Sequence, residues 1–405
     1  MKPPPHETTR PVKPLAITTG TAVSALGHGR AAMLAALQAG RTGLKQQDFE
    51  TAPLGAWLGV VEGADELRLP DHLAEHDCRN NRLAELGLIA DGFGDQVRAA
   101  ARRWGAARVG VFLGTSTSGI LQTEIAYRHR DPANGALPAD LHYATTHNTY
   151  SVAGYVRAAL GLQGPAQVVS TACSSSAKVF ATAQRMIELG LVDAAVVGGV
   201  DSLCMTTLYG FKSLELVSPD ICRPWDANRS GLSLGEAAAF ALLEREVSSP
   251  MAWLLGAGES SDGHHMSSPH PDGAGAAAAM RGALAQAGLA PGDVDYLNLH
   301  GTATPGNDAA EDKAVATVFG SRLPCSSTKG HTGHTLGAAG GVEAVIAMLA
   351  LQHGFMPAGL NLLQQDPALS TLYLTEPREQ RLRVVASNSF GFGGSNASLL
   401  FGAAA

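Results

Sequence analysis

The chain has 405 residues, of which 45% are hydrophobic and 16% are charged. This length and balance fit a globular enzyme with one large core or with two packed halves. The formal net charge of −7 argues against a general nucleic-acid binder, because such proteins carry an excess of Lys and Arg. A local basic patch for an acidic partner remains compatible with this charge.

Cysteine usage and the first residues predict the compartment. The five cysteines form no CxxC pair, and the opening stretch MKPPPHETTRPVKPL lacks the apolar core of a secretory signal. We therefore expect free thiols, a cytoplasmic protein and a flexible tail over residues 1–14. No apolar run approaches the roughly 18 residues that span a bilayer, so no membrane span is expected.

Strand-like and helix-like patterns alternate along the first half of the chain. Apolar β-branched runs predict strands, and Ala-rich or amphipathic stretches that end at Gly predict helices. In chain order the predicted elements are a strand over 15–20, a helix over 31–40, strands over 108–114 and 166–170, a helix over 175–190 and a strand over 194–200. This alternation is typical of an α/β protein with buried sheets.

The rest of the chain continues the alternation after a turn-rich loop over 216–231. Two strand-like runs, 237–246 and 252–260, are expected to pair with each other. The later predicted elements are a helix over 274–288, a strand over 294–299, a helix over 309–318, a strand and turn over 323–328, a helix over 337–352 and a strand over 382–394 that runs into a Gly-rich turn.

Two segments share one order of strand, small-residue turn and helix. They are VVSTACSSSAKVFATAQRMI, from residue 168, and LPCSSTKGHTGHTLGAAGGVEAVIAML, from residue 323. This echo predicts a duplicated architecture whose equivalent turns face each other. We place the halves at 15–255 and 256–405.

Cys173 lies in the first of these turns, where a predicted strand gives way to a predicted helix. The free N–H groups and the dipole at a helix N-terminus favour a thiolate, so we expect the pKa of Cys173 to lie below its ordinary value of about 8.5. A buried Cys packed as a small hydrophobe is the alternative. The flanking Ser and Thr residues favour a nucleophile, because they leave a small polar pocket.

Two histidines are candidate partners of Cys173. His300 in YLNLHGTATPGND and His334 in SSTKGHTGHTLGAAGG both lie at ends of predicted elements, among small residues. Lys329, five residues before His334, is a candidate source of positive charge, with an ordinary surface lysine as the alternative. The turn SNSFGFGGSN over 387–396 could bring backbone N–H groups to a ligand, as an oxyanion hole requires, or could be a plain hairpin.

Other motifs point to other chemistry, and each lacks its structural context. GLSLG, with Ser233 at its centre, matches the GxSxG pattern of serine hydrolases, but a loop precedes it where that motif needs a strand. The Gly-rich turns match neither a P-loop nor a GxGxxG sequence. Five histidines of the second half suggest a zinc site but have no spacing typical of zinc ligands; they are His264, His265, His270, His331 and His334.

Together these stretches resemble the decarboxylating β-ketoacyl-[acyl-carrier-protein] synthases of the thiolase superfamily. The resemblance runs from about residue 110 to the C-terminus, in the family's order. The stretches that carry it are STACSSSAK, CRPWDANRSG, SSDGHHMSSP, NLHGTATPGNDAAEDKA, SSTKGHTGHTLGAAGGVEA and SNSFGFGGSN. It implies an αβαβα sandwich of two duplicated halves, usually a dimer, with acyl carrier protein as partner and no cofactor.

The resemblance also implies residue roles. Cys173 matches the acylated nucleophile, His300 and His334 the catalytic histidines, Lys329 the active-site lysine and Phe392 the gate whose N–H completes the oxyanion hole. The remaining positions are Glu343 as partner of Lys329, Thr302, Thr304 and Phe390 as substrate contacts, Arg79 and Lys212 as carrier-protein docking candidates, and Asn298, Glu343, Ser387 and Asn388 as a structural monovalent-cation site.

The His/His pair favours an elongating enzyme, since chain-starting members typically pair His with Asn and degradative thiolases use a second Cys. Chain-length-factor partners lack the nucleophile, so Cys173 favours a catalytic subunit over a non-catalytic partner in a heterodimer. The triple Ser after Cys173 and the extra His331 depart from common fatty-acid enzymes. These departures favour a specialised pathway such as polyketide or aryl-polyene synthesis, while fatty-acid synthesis and both homodimer and heterodimer stay open.

Overall fold

The computed structural model describes residues 12–404. The predicted tail over 1–14 therefore lies outside the described residues except for its last three. Of these, Val12 donates its backbone N–H to the carbonyl oxygen of Gln286.

Strands and short helices alternate along the described part of the chain. The strands are β1 (Leu15–Ser24), β2 (Gly27–His28), β3 (Lys45–Phe49), β4 (Ala52–Gly59), β5 (Val109–Gly114), β6 (Ala166–Val169), β7 (Ala194–Asp201), β8 (Leu234–Gly235), β9 (Ala237–Glu244), β10 (Ala252–Ser261), β11 (Tyr296–Asn298), β12 (Pro324–Ser326), β13 (Phe355–Met356), β14 (Leu372–Tyr373), β15 (Arg378–Glu379), β16 (Val384–Gly391) and β17 (Ser395–Ala403). The helices are α1 (Gly29–Gln38), α2 (Arg79–Ile89), α3 (Phe93–Trp104), α4 (Ile120–Arg128), α5 (Ser151–Ala159), α6 (Ser175–Glu188), α7 (Met205–Ser213), α8 (Ala274–Ala287), α9 (Pro305–Phe319), α10 (Lys329–Thr332) and α11 (Ala339–His353).

The main sheet consists of two five-stranded units with the same strand order. The first unit runs β6-β5-β7-β9-β1 and the second β12-β11-β16-β17-β10, with β14 added at its edge. Parallel and antiparallel pairings also match one for one. This identity of topology supports the duplication that the two similar turns predicted.

Helices α6 and α11 form the central layer between the two sheet units. Phe180 of α6 and Val345 of α11 belong to one buried cluster with side chains of β9 and β17. Phe180 meets Phe401 of β17 edge to face, with ring centroids 5.9 Å apart. Burial of apolar side chains on both faces explains why α11 is apolar all round.

Outer helices cover the far faces of both units. Helices α2, α3 and α5 pack on the first, where Phe93 stacks on Phe240 of β9 with centroids 5.6 Å apart. Helices α8 and α9 pack on the second, around Met280 and Leu400. The five layers make the αβαβα sandwich, so the predicted fold class is confirmed.

Two sequence expectations about the middle of the chain were wrong. Strands β9 and β10 do not pair with each other, because β1 lies between them and is antiparallel to both. The two units are joined because β1 of the first unit pairs with β10 of the second, with Ala16 opposite Trp253. The predicted boundary at 255/256 falls inside β10, so the second repeat begins at Ala252.

The expectation of no membrane-length apolar segment also needs correction. Residues Leu336–His353 are long and apolar enough to span a membrane, with a mean hydropathy of 1.3, but 89% of this window is buried inside the protein. The sequence prediction missed this segment, in which Glu343 interrupts the apolar residues. The segment includes α11, so its apolar character is explained by the central layer of the sandwich.

Candidate active site

Cys173 lies in the turn between β6 and α6, as its motif predicted. Ala172, immediately before it, has a φ of 52°. A left-handed conformation at a non-Gly residue is costly and points to a functional constraint. The turn brings Cys173 to the wall of a cavity of about 550 Å³, counting its open mouth, although the residue itself is only 5% exposed.

Two imidazoles from the second half converge on this sulfur. His334 Nε2 lies 2.9 Å from Cys173 Sγ. The rings of His300 and His334 meet edge to face with centroids 5.4 Å apart. One ligand-type atom from each of the three side chains falls within 4.8 Å of the other two. The juxtaposition inferred from the sequence is therefore present.

Backbone strain recurs beside each histidine. Ala303 has a φ of 65°, three residues after His300, and Leu336 has a φ of 53°, two residues after His334. With Ala172, all three converging side chains lie within three residues of a left-handed non-Gly residue. Such strain persists only where surrounding contacts over-determine the backbone.

Lys329 connects the segment that carries His334 to the segment that carries His300. Its ammonium donates to the carbonyl oxygen of His300 and to Glu343 Oε1, both at 2.5 Å. Lys329 and Glu343 are both buried. The ordinary-surface alternative for Lys329 is thereby excluded, and the pairing with Glu343 that the resemblance implied is present in the geometry.

Two buried carboxylates that the sequence reading missed hold the turns in place. Glu311 of α9 accepts the backbone N–H groups of His300, at 2.8 Å, and Gly301, at 2.7 Å. Asp201, at the end of β7, accepts the N–H of Gly337 at 2.5 Å, and so joins the first half to the turn after His334. Glu311 and Asp201 are both buried, and no sequence signal separates them from the other acids of the chain.

The electrostatics of the sulfur differ from the expectation. Burial raises the pKa of Cys173 to about 12, while the charge of Lys329 and the N–H of Phe392 oppose this rise. The prediction of a pKa below the ordinary value was wrong, because it counted the helix N-terminus and not the loss of water. The resting cysteine is therefore a thiol.

Both histidines are held neutral. Burial, followed by the positive charge of Lys329, lowers the pKa of His300 and of His334 well below 6.5. Among the described residues, neither Nδ1 atom has a hydrogen-bond partner. A buried N–H without an acceptor is rarer than an unpaired acceptor, so we assign the proton of each ring to Nε2.

The backbone N–H groups of Phe392 and of Cys173 itself both face the sulfur. These are the two donors that the resemblance assigns to the oxyanion hole, and that role stays a prediction. The half-buried ring of Phe392 lies against Phe211 of α7, with centroids 5.5 Å apart. Both aromatic side chains line the cavity, as expected of a gate at its wall.

The predicted substrate contacts also line the cavity. Thr302 and Thr304 hydrogen-bond to each other through their hydroxyl groups at 2.9 Å, and Phe390 lies beside His300 with ring centroids 5.7 Å apart. These three side chains border the histidine side of the pocket. Their contact with substrate stays a prediction.

The two docking candidates occupy different environments. Arg79 is buried, and its guanidinium donates to both carboxylate oxygens of Glu236. The docking prediction for Arg79 was wrong, because a buried and paired guanidinium cannot meet an acidic partner. Lys212 is exposed on α7, next to Phe211 at the cavity, and its role stays a prediction.

Three of the four residues of the predicted cation site lie on neighbouring strands, whereas the fourth, Glu343, pairs with Lys329. Asn298 and Ser387 pair across β11 and β16, and the oxygens Ser387 Oγ and Asn388 Oδ1 are buried without a hydrogen-bond partner among the described residues. These orphaned oxygens fit a monovalent cation. Glu343, however, directs its carboxylate to Lys329, so this fourth ligand stays a prediction.

The competing motifs do not assemble a second site. Ser233 is buried, its hydroxyl accepts the N–H of Cys222, and its carbonyl accepts the N–H of His334. Ser233 therefore supports the loop that carries His334 and has no histidine on its hydroxyl. Within residues 12–404, His334 joins a ligand-type cluster only with Cys173 and His300.

A duplicated αβαβα fold that places one sulfur against two imidazoles and two backbone donors defines an acyltransferase that condenses acyl groups. Residues 95–248 match the family described as beta-ketoacyl synthase, N-terminal domain, and residues 251–363 match its C-terminal domain. The chain belongs to the β-ketoacyl synthase family. The family and the condensing activity that the sequence resemblance implied are confirmed.

Relatives cover nearly the whole chain. Nodulation protein E of Rhizobium meliloti (strain 1021) is 35% identical over 85% of this chain and 88% of that protein. The 3-oxoacyl-[acyl-carrier-protein] synthase 2 of Vibrio cholerae is 31% identical over 90% and 93%. One chain of the solved complex described as the ketosynthase ApeO with its chain length factor ApeC, from Xenorhabdus doucetiae, is 38% identical with a TM-score of 0.88, over 97% of this chain and 98% of that chain.

Proposed function

We propose that the chain elongates an acyl group by two carbons through decarboxylative condensation with malonyl-acyl carrier protein. The observation that carries this proposal is the convergence of Cys173 from the first half with His300 and His334 from the second. One oxygen of a substrate placed between the two rings would meet two N–H donors. The Vibrio cholerae relative, a 3-oxoacyl-[acyl-carrier-protein] synthase, also supports loading by acyl carrier protein.

The first step transfers the acyl group to Cys173. The thiol sulfur attacks the thioester carbon, its proton goes to the departing carrier thiol, and the old C–S bond breaks. His334 Nε2, 2.9 Å from the sulfur, donates to the anionic sulfur as it forms. The N–H groups of Phe392 and Cys173 stabilise the tetrahedral oxyanion.

The second step uses the two histidines. The bond between the malonyl carboxylate and its α-carbon breaks, CO₂ leaves, and the electron pair moves onto the thioester oxygen as an enolate. His300 and His334 donate Nε2–H to that oxygen without changing protonation. The enolate carbon then attacks the acyl carbon, the bond to Cys173 breaks, and the sulfur regains a proton from solvent. Loss of one donor should cost a few kcal/mol of barrier.

Mass spectrometry after incubation with a panel of acyl-carrier proteins tests this assignment. The wild-type protein should gain one acyl mass, on the peptide that contains Cys173, and then release a 3-ketoacyl product when malonyl-carrier protein is added. Cys173→Ala should gain none, whereas Cys78→Ala, at a buried cysteine outside the cavity, should behave as wild type. Condensation at the wild-type rate by Cys173→Ala would refute the assignment.

The same experiment separates the catalytic subunit from a non-catalytic partner that shapes the growing chain. A partner subunit would take up no acyl group. The placement of a complete thiol, two imidazoles and two backbone donors favours the catalytic role.

We further propose a heterodimer with a related condensing-enzyme subunit, acting in a polyketide or polyene pathway. The support is the solved complex of a ketosynthase with its chain length factor, one chain of which is 38% identical to this chain. Co-expression with candidate subunits followed by size-exclusion chromatography tests it, and a stable, fully active homodimer would refute it. Five free buried cysteines support a reducing, cytoplasmic setting.

A further inference from the structure

The hydroxyl group of Ser175 closes the turn that carries Cys173. Ser175 is the first residue of α6 and is fully buried. Its Oγ accepts the backbone N–H of Thr171 at 2.8 Å and donates to the carbonyl oxygen of Ala172 at 2.6 Å. Ser175 belongs to the triple Ser that follows Cys173, and the mechanism above assigns it nothing.

The bond to Ala172 fixes the direction of the Cys173 N–H. The Ala172 carbonyl and the Cys173 N–H belong to one planar trans peptide unit, so the two groups point in opposite directions. A contact that holds this carbonyl therefore also sets the direction of the N–H. The Cys173 N–H faces the sulfur and is one of the two donors assigned to the oxyanion hole. Ser175 thus lies one peptide unit away from the proposed chemistry.

This peptide unit needs such a contact because its first residue is strained. Ala172 has a φ of 52°, and the left-handed conformation is costly for a residue with a Cβ atom. The Ala172 carbonyl also receives the N–H of Ser175 at 3.1 Å and the hydroxyl group of Ser116 at 3.4 Å. These two longer contacts should keep the turn folded when the Ser175 hydroxyl group is lost, but with a looser peptide unit.

The second bond of Ser175 concerns the other donor of the oxyanion hole. Thr171, whose N–H the hydroxyl group accepts, lies against Gly391, where an added Cβ atom would be 2.5 Å from the Thr171 carbonyl oxygen. Gly391 directly precedes Phe392, whose N–H is the second assigned donor. A displacement of Thr171 would therefore reach the backbone that presents Phe392.

The alternative role of Ser175 is that of a helix cap. A capping hydroxyl group accepts an N–H from the first turn of its own helix, whereas Ser175 accepts the N–H of Thr171, which precedes α6. The neighbouring Ser174 donates to the Thr171 carbonyl, and Ser176 accepts the N–H of Gly341 in α11. The hydroxyl group that reaches the Ala172 carbonyl is therefore that of Ser175.

We propose that Ser175 is a positioning residue of the acyl-transfer step, because its hydroxyl group holds the peptide unit between Ala172 and Cys173 with the N–H directed at the developing oxyanion. The inference rests on the proposed function, since this oxyanion forms only when a thioester is attacked. It predicts a split between two steps. Acyl transfer to Cys173 needs this N–H, whereas decarboxylation of malonyl-carrier protein uses His300 and His334.

Two single-turnover rates test the proposal. One is acyl uptake on Cys173 from acyl-carrier protein, followed by mass spectrometry, and the other is CO₂ release from malonyl-carrier protein without an acyl donor. A removed oxyanion donor costs about 100- to 1000-fold, so Ser175→Ala, which only loosens one, should take up the acyl group about tenfold more slowly and decarboxylate within about twofold of the wild-type rate. The matched control is Ser260→Ala, which loses a hydroxyl group that donates to the Gly275 carbonyl at 2.7 Å, outside the cavity lining. Both of its rates should equal those of the wild type.

A second variant tests the strain at Ala172 directly. Glycine adopts the left-handed conformation freely, so Ala172→Gly removes the cost that the Ser175 hydroxyl group offsets. The double variant Ala172→Gly and Ser175→Ala should therefore take up the acyl group at least about threefold faster than Ser175→Ala. Should Ser175→Ala not fold, the double variant decides, because it must fold and take up the acyl group on Cys173.

Acyl uptake at the wild-type rate by Ser175→Ala, or an equal fall in both of its rates, would refute the inference and leave the proposed function intact. A double variant that is no faster than Ser175→Ala, or that does not fold, would refute it as well. Wild-type protein that takes up no acyl group, or that takes one up and never condenses it, would refute the proposed function instead.

Discussion

Replacement of Glu311 by Gln separates positioning of a catalytic histidine from stability of the fold. Glu311 accepts two backbone N–H groups, those of His300 and Gly301, and the side-chain amide of Asn388 at 3.1 Å. An amide has one oxygen, so in Glu311→Gln one N–H of the turn faces an NH₂ group instead of an acceptor. The turn that presents His300 should shift as a result.

In Glu311→Gln, the contributions to the free energy of unfolding nearly cancel, whereas the effect on the decarboxylation rate does not. The unpaired buried N–H costs about 1–3 kcal/mol and the weaker remaining bond about 1 kcal/mol. Against this, burial raises the pKa of Glu311 to about 7. The wild-type protein therefore spends about 3 kcal/mol to keep this carboxylate ionised at pH 8, and the neutral Gln side chain spares that cost. We expect the free energy of unfolding at pH 8 to change by less than about 2 kcal/mol, while a displaced His300 lowers decarboxylation by about 100-fold.

The assays are urea denaturation and single-turnover decarboxylation, each at several pH values, with the exposed Glu376→Gln as control. Since the pKa of Glu311 is raised, the native state holds this proton more tightly than the unfolded chain, and the carboxylate loses its charge as the pH falls through about 7. The wild-type decarboxylation rate should fall in that window, and Glu311→Gln should lack this fall. A variant that decarboxylates at the wild-type rate, or that loses stability by several kcal/mol at pH 8, would refute the reasoning.

Three further outcomes follow from buried groups. Arg79→Met should lower the free energy of unfolding, measured by urea denaturation, by about 3–5 kcal/mol, because it leaves Glu236 as an unpaired buried charge. If the variant instead kept its stability and bound carrier protein more weakly, the docking role of Arg79 would be restored. Ser233→Ala should keep acyl uptake on Cys173 by mass spectrometry, and loss of uptake in a folded variant would contradict the supporting role given to this serine. Burial lowers the pKa of His300 and His334, so the unfolded chain binds more protons at these positions below pH 6.5. The urea midpoint of the wild type should therefore fall, relative to that of a His300→Asn and His334→Asn double variant, as the pH drops from 7 to 5; a constant difference between the two midpoints would contradict the lowered pKa of these rings.

Local patterns were sufficient for the parts of the fold that are local in the chain. The strand, the small-residue turn and the helix around Cys173 are contiguous, and the matching segment around His334 revealed the duplication. Pairing of β9 with β1 was beyond reach, because the partner lies more than 200 residues away. A strand-like run predicts a strand, but two neighbouring runs do not predict which strands each of them pairs with.

The same distinction separates the site residues that were predicted from those that were missed. Cys173 and the two histidines stand in turns of unusual composition. Glu311 and Asp201 look like ordinary acids in sequence, and their role depends on backbone N–H groups brought to them by the fold. Arg79 looked like a surface charge for the same reason, because nothing near it in the sequence indicates that its guanidinium pairs with the buried Glu236.

Asp201 explains how one site can be divided between two halves of the chain. Its carboxylate accepts Thr117 N–H at 2.8 Å in the first half and Gly337 N–H at 2.5 Å in the second. The same negative charge adds to the burial that raises the pKa of Cys173, and the ammonium of Lys329 opposes it. The resting site thus holds a neutral thiol beside two neutral imidazoles. In the proposed mechanism, charge develops only when substrate supplies it, first on the sulfur and later on the enolate oxygen, and neutral N–H donors are available for both atoms without a change of protonation.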